Sequence, residues 1–429
     1  MRFWVKLGFI SFGGPAGQIA IMHRELVERG RWIGEQRFLH ALNFCMLLPG
    51  PEAQQLATYI GWLMHRTWGG IAAGALFVIP SVFILLGLSY VYARFGKVLW
   101  ISGALYGLKA VVVAVVLEAV VKIGRRAFKS WLHVVIAAGA FAGIYVFGIP
   151  FPLIILAALA LGCVGALTLP NIFNTKPPAK PAASADAVPE VPFVISDDGP
   201  LPAHAQPKAK RLFWLLLLWA VLWVLPLGSV LAAYGSESLP AKIYLFFSQA
   251  AFVTFGGAYA VLAYVKQFAV DSAHWITSEQ AMAGFALAET TPGPLIMVLQ
   301  FIGFMAGWNN PDGFTPTWSA VLCALLTTFA TFLPCFFFIL IGGPYLERIR
   351  KSRILSGALS AVTAAVVGVI LNLALSFGAT ALFPEGHANV LGLCISAVSF
   401  VLLVFLKLDV LWVIGGGALV GLARVLFLP

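Results

Sequence analysis

Two sets of helix breakers, set far apart in the chain, fix what it can fold into. The first reads Phe12-Gly13-Gly14-Pro15, passes Trp32-Ile33 and ends in Pro49-Gly50-Pro51. The second reads Phe255-Gly256-Gly257, passes Trp275-Ile276 and ends in Pro292-Gly293-Pro294. One spacing of 243 holds at all three anchors (256 − 13, 275 − 32 and 292 − 49). Both sets lie in apolar sequence. Gly opposes a continuous helix through its backbone entropy, and Pro through its missing N–H. In a membrane protein, interruptions at matched points of two halves point to a solute site between them.

That the chain is a membrane protein follows from its composition. Of 429 residues 61% are hydrophobic and 10% charged, where a soluble domain carries about 25% charged residues. Apolar runs of roughly 20 residues are each long enough to cross a bilayer. In hydrocarbon only helices or closed barrels satisfy the backbone, and continuous apolar runs select helices. The expected class is an all-α polytopic integral membrane protein. The net charge of +10 comes from basic residues between apolar runs, which marks cytoplasmic loops rather than a nucleic-acid surface. Five scattered cysteines and seven histidines show no ligand spacing, so neither disulfides, a metal nor a cofactor is expected. No cleavable leader is expected either. HExxH, GxSxG, P-loop and dinucleotide motifs are missing, which speaks against an enzyme or a self-contained ATPase.

The chain divides into a transmembrane repeat at 1–170, a polar Pro/Ala-rich cytoplasmic linker at 171–211, expected to be unstructured, and a second transmembrane repeat at 212–429. The broken segments 3–22 and 38–64 match 240–265 and 281–303. Farther on, Pro80 aligns with Pro334, Ser102-Gly103-Ala104-Leu105 with Ser356-Gly357-Ala358-Leu359, and His133 with His387, all 254 apart. The stretch 122–129 carries Lys122, Arg125, Arg126 and Lys129, while its partner around 377–388 carries no Lys or Arg. The preceding loop has Arg94 and Lys97, and its partner has Arg348, Arg350, Lys351 and Arg353. The bias swaps between the halves, which predicts an inverted-topology repeat. The same rule makes the four broken segments re-entrant hairpins; kinked full spans are the alternative.

A break at mid-membrane exposes helix ends, and helix N-termini bind anions through free N–H groups. The expected solute-binding set is therefore Ser11, Gly13, Gly14, Pro49, Gly50, Pro51, Gln54, Thr254, Gly256, Gly257, Thr291, Pro292, Gly293 and Pro294. Asn43, Gln55, Thr290 and Gln300 flank the same breaks, and for every such polar residue helix–helix glue is the bland reading. Glu52 and Glu289 would repel an anion when ionised, so they are candidates for proton coupling. Lys109 either partners another charge or attracts the anion, and Arg24 is a mouth residue or a positive-inside anchor. Glu118, beside the basic 122–129 stretch, reads as simply solvated.

At these residues the chain resembles the chromate ion transporter family. The resemblance rests on Phe12-Gly13-Gly14-Pro15 with its basic loop, Trp32 with Glu35, and Pro49-Gly50-Pro51 with Glu52 and Gln54. Phe255-Gly256-Gly257 and Thr291-Pro292-Gly293-Pro294 carry it in the second half. It covers the chain outside the linker and matches the long two-domain form with oppositely oriented halves. It implies a multi-pass protein of the bacterial inner membrane that exports chromate, driven by a proton gradient or the membrane potential, and confers chromate resistance. A transporter of sulfate or another oxyanion is the alternative, with an anion channel behind it. The implied partners are chromate or a sulfate-like oxyanion and membrane lipid, with a homodimer left open. The second copy departs from the first, with Ala258 at the position of Pro15 and Leu295 at that of Glu52.

Overall fold

The computed structural model describes residues 1–12, 14–169, 193–197, 202–345 and 352–427. Gly13, most of the linker and the loop with Arg348, Arg350 and Lys351 lie outside them. The chain is an all-α polytopic membrane protein. Among the described residues the one bridge outside helices is a parallel contact between Ile33 and Ile195, and seven helices are long and apolar enough to cross a membrane.

The first repeat holds α1 (Arg2–Ile10), α2 (Gly14–His23), α3 (Glu35–Cys45), α4 (Glu52–Phe95), α5 (Leu99–Ala127), α6 (Trp131–Tyr145) and α7 (Phe151–Thr168). After α8 (Ala209–Tyr234) the second holds α9 (Leu239–Val253), α10 (Ala258–Lys266), α11 (Ser278–Thr290), α12 (Val298–Asn309), α13 (Pro316–Gly342), α14 (Arg353–Leu382), α15 (Val390–Val404) and α16 (Val410–Phe427). α4 breaks sharply at His65 and Arg66, where φ/ψ are −133°/33° and 57°/−160°. Its arms, 52–64 and 67–95, fold back on each other: a β-carbon at Gly70 would meet Thr58 O at 2.9 Å and Trp62 Cβ at 2.9 Å. Apolar β-carbons would not fit that seam, which is why small residues face it.

The duplication reaches fine detail. A π-helical turn at Arg24–Arg29 recurs at Gln267–Ser272, the same 243 residues on. Ser11 (φ −85°, ψ 74°) and Thr254 (φ −78°, ψ 70°) each centre a tight turn. In both, the next residue donates back to the one before: Phe12 N–H to Ile10 O at 3.0 Å, and Phe255 N–H to Val253 O at 2.9 Å. These are inverse γ-turns. The 254 spacing carries through α5 and α14 but not to the histidines. His133 is buried, with its ring nitrogens 2.8 Å from Ser130 Oγ and 2.9 Å from Ser360 Oγ, whereas His387 is exposed ahead of α15. Extra residues around the turn Pro384–Gly386 shift the register, so the two histidines are not equivalent.

The helices pack as two layers, each drawn from both repeats. In one, α5 lies against α14, α15 and α16, and α14 against α6 and α7. In the other, α1 packs on α4, α9 and α12 on α13, and α4 on α12 and α13. α5 and α14, the equivalent long helices, run antiparallel. A β-carbon on Gly124 would meet Val367 at 3.7 Å, and one on Gly378 would meet Val113 at 3.8 Å. Glycines let α5 approach α16 through Gly107 and Gly417, and α7 approach α14 through Gly162 and Gly357; close backbone approach replaces the hydrophobic effect as the packing force within lipid.

Part of the linker is structured, contrary to expectation. Val194 N–H donates to Arg31 O (3.0 Å), Ile195 N–H to Trp32 O (3.1 Å), and Gly34 N–H to Ile195 O (2.9 Å). Asp197 accepts from Arg37 N–H at 2.8 Å and Gln36 N–H at 3.3 Å, capping the uncapped start of α3. Arg31 stacks on Phe193, 4.4 Å from its ring centre. Farther along, His204 Nε2 lies 3.0 Å from Trp62 O, and Arg211 sits 5.1 Å over the Trp62 ring. The linker thus straps the loop between α2 and α3. The basic 122–129 stretch is also not a loop at its start, since α5 continues to Ala127.

Candidate functional site

The four breaks meet in crossed pairs. Gly50 N–H donates to Thr254 O at 2.9 Å, and Gly293 N–H to Ser11 O at 3.0 Å. Gly50 and Gly293 are equivalent, as are Ser11 and Thr254, so each Pro-Gly-Pro turn of one repeat is tied to the γ-turn of the other. Both glycines hold backbone that an L side chain resists, with φ of +116° and +104°. Behind each lies the Pro-kinked helix of the opposite repeat. A β-carbon on Gly50 would meet Cys335 Sγ at 2.6 Å; one on Gly293 would overlap Ser81 Oγ. Ser81 follows Pro80 as Cys335 follows Pro334.

These bonds alter the expected cradle. The N–H groups of Gly50 and Gly293 are taken by protein carbonyls and do not face a solute. The starts of α4 and α10, by contrast, carry no side-chain cap, and their first N–H groups remain for a ligand or water. Gly256 and Gly257 keep φ of +83° and +86° just before α10, and Gly14 has +67° at the start of α2. Gly13 lies outside the described residues.

Around the crossing the polar side chains are unequal. Gln18, buried at 1%, donates through Nε2 to Gly293 O at 2.6 Å. Gln55 Nε2 donates to Pro49 O at 2.6 Å and Ser81 Oγ to Pro292 O at 2.6 Å. Gln54 Nε2 donates to Thr58 Oγ1 at 3.1 Å. Ser11 Oγ, Gln54 Oε1 and Gln55 Oε1 are buried with no protein partner. In the second repeat the positions of Gln18, Gln54, Gln55 and Thr58 are Val261, Met297, Val298 and Phe301. Thr254 returns its hydroxyl to Ala250 O (2.5 Å), Thr290 to Leu287 O (2.8 Å) and Thr291 to Ala288 O (3.1 Å). Those three hydroxyls return to carbonyls of their own helices. Gln300 instead ties helices together, donating to Val82 O at 2.9 Å and accepting from Thr328 at 2.9 Å. Gln18, Thr58, Ser81 and Cys335 were missed in the sequence. The signal was there for Gln18, an amide inside an apolar run, and for Ser81 and Cys335, which sit at matched positions.

The ionisable candidates separate. Glu289 is 5% exposed and accepts from Tyr259 OH at 3.1 Å, with Glu118 and Lys122 of α5 among the charges acting on it. Glu118 is half-buried and 3.5 Å from Lys122, not simply solvated. Lys109 Nζ lies 3.1 Å from Glu279 Oε2, so it serves as a tie between α5 and α11 rather than a free anion attractor. Glu52 and Arg24 line a cavity of about 660 Å³ with Pro15, Ala16, Met46 and Arg126. A second cavity, about 760 Å³, lies beside Lys266, Gln267, Asp271, Val113 and Leu117.

The sequence also has relatives. A chromate transport protein of Cupriavidus metallidurans is 27% identical over 426 residues, 98% of this chain and 92% of its own length. One from Pseudomonas aeruginosa is 30% identical, covering 86% of this chain and 77% of its own. A probable chromate transport protein of Synechococcus elongatus is 28% identical, with 86% and 81% covered. No solved structure matches. The family model described as chromate transporter matches residues 1–163 and 241–422, which include both sets of breaks and the cavity-lining residues, and the chain belongs to that family of multi-pass membrane transport proteins.

Proposed function

We propose that the protein is a secondary active transporter that carries chromate out of the bacterial cytoplasm through a path formed by the crossed breaks. The observation that carries this reading is the reciprocal pair of bonds, Gly50 to Thr254 and Gly293 to Ser11. It brings two interrupted segments of each repeat to one place, as a shared solute site requires. The names of the relatives, chromate transport proteins over most of their lengths, support the substrate.

Opposite orientation of the repeats is supported by the antiparallel run of α5 and α14. Re-entrance is supported by helix length. α1, α2 and α3 have 9, 10 and 11 residues, or about 13–17 Å at 1.5 Å per residue, half of a roughly 30 Å core. Export rather than uptake is what the family resemblance implies, and the basic 24–37 and 122–129 stretches fix only which ends face the cytoplasm. Energy comes from a proton gradient, with Glu52 and Glu289 as the carriers, or from membrane potential acting on a dianion; export of chromate would confer resistance.

The test is transport of labelled chromate and sulfate into inverted vesicles, with and without an imposed pH gradient. Gradient-dependent chromate accumulation is expected. Sulfate accumulation without chromate would make the protein a sulfate transporter. Equal flux at every gradient and potential would make it a channel, and no flux of either anion would refute the reading.

A further inference from the structure

The two cavities occupy corresponding flanks of the two repeats, yet their charged groups are paired differently. The first, beside α2 and α3, receives Arg126 from the last turn of α5 and Arg24 from the π turn. Among the described residues no carboxylate lies within ion-pairing distance of Arg126, and the nearest to Arg24 is Glu25 at 3.8 Å. His23 at the same rim is held by Glu28 at 3.1 Å and Glu35 at 2.7 Å. Glu28 and Glu52 are the carboxylates that line this cavity together with Arg24 and Arg126. The second cavity has one cation and one anion at its rim, Lys266 and Asp271, joined at 2.9 Å.

The duplication explains both. Arg126 corresponds to Thr380 in the second repeat, Arg24 to Gln267, and Glu52 to Leu295. Space exists in the first cavity because Ala16 and Met46 line it. Their counterparts, Tyr259 and Glu289, form a hydrogen-bonded pair, and neither lines the second cavity. The first cavity therefore holds one guanidinium, Arg126, with no carboxylate in ion-pairing distance among the described residues, while the second has a joined Lys266–Asp271 pair at its rim.

We infer that the first cavity is a capture station for a tetrahedral dianion, with Arg126 as its principal ligand and Arg24 as its outer one, while the second cavity is the release side. The inference rests on the transport reading above and adds to it the residue that selects charge. Guanidinium offers a planar fork of donors that suits two oxygens of an oxyanion at once. The neutral rim of the other cavity has no group to retain the ion. The station lies on the flank of the basic loops, where it would load the ion from the cytoplasmic side, and the gradient or membrane potential sets the direction of net movement.

The experiment is sulfate and chromate binding to the purified full-length protein in nanodiscs, followed by calorimetry and by ligand-induced thermal stabilisation. Arg126→Gln is expected to weaken both anions by about tenfold or more, the loss of one charge-assisted anchor. Arg126→Lys should recover part of this, keeping charge without the fork. Lys266→Gln should bind as the unmodified protein does. The exposed position of Arg126 makes misfolding of these variants a minor concern, and unchanged melting without ligand checks it. Unaltered binding in Arg126→Gln, or an equal loss in Lys266→Gln, would overturn the capture station while leaving the transport reading intact. If the unmodified protein binds neither anion, both fall together.

Discussion

Replacing Gly293 by alanine addresses the crossed breaks directly. A φ of +104° strains an L residue by roughly 1–3 kcal/mol. The added β-carbon would overlap Ser81 Oγ. To make room, the hydroxyl must turn from Pro292 O, which it now reaches at 2.6 Å. A buried hydrogen bond lost in this way costs about 1–3 kcal/mol. The sum, roughly 2–6 kcal/mol, is a large share of the 5–15 kcal/mol that typically separates folded from unfolded protein. Ser81→Ala in the same chain removes the overlapping oxygen but not the backbone strain, and the remaining β-carbon still stands 2.8 Å away. The double variant should therefore be more stable than the sum of the singles, with a coupling of about 1–2 kcal/mol. The apparent melting midpoint of detergent-purified protein reads stability, and anion flux into vesicles reads function. A single variant that melts and transports normally would refute the argument, as would two additive substitutions.

Three further outcomes follow from particular contacts. Gln18→Leu keeps volume but leaves Gly293 O buried and short of a donor, so the melting midpoint should fall by the equivalent of about 1–3 kcal/mol; an unchanged midpoint would show the bond to be idle. Asp197→Ala removes the cap on α3, worth about 1 kcal/mol, and should speed protease cleavage within the linker; cleavage at the original rate would mean the strap holds without it. Glu289→Gln should preserve folding, since the amide still accepts from Tyr259, yet uncouple flux from an imposed pH gradient; if both this variant and Glu52→Gln respond normally to the gradient, proton carriage by these acids is wrong.

Much of this architecture was visible in the amino-acid sequence, because Gly and Pro act locally. Their backbone preferences mark a break wherever they fall in an apolar run, and constant spacing exposes the duplication. What each break touches was not visible. The bond from Gly50 to Thr254 joins residues of different repeats whose proximity depends on packing, and it consumes N–H groups that a local argument leaves free. Lys109 illustrates the same limit: its partner Glu279 belongs to a distant helix. Thr290 and Thr291 looked like ligands by composition, but a hydroxyl in a helix can return to a carbonyl three or four residues earlier, and both do. Arg126 was legible only as one basic residue among four, since its role depends on the cavity that Ala16 and Met46 leave open.

The layered packing has a mechanical consequence. The boundary between repeats in the sequence is not a seam in the molecule, because α6 and α7 are bound to α14, and α15 and α16 to α5. Prising the N-terminal half from the C-terminal half would strip apart the best-packed helices. The more thinly packed interface is the one between the layers. Across it, contacts run through α10 and α11 against α5, α14 and α16, and the Lys109–Glu279 pair spans it. Both cavities open along that same surface, one beside Arg126 and the other beside Val113 and Leu117. Each raft of helices holds its own pseudo-symmetric pairs, and the seam between the rafts carries both cavities.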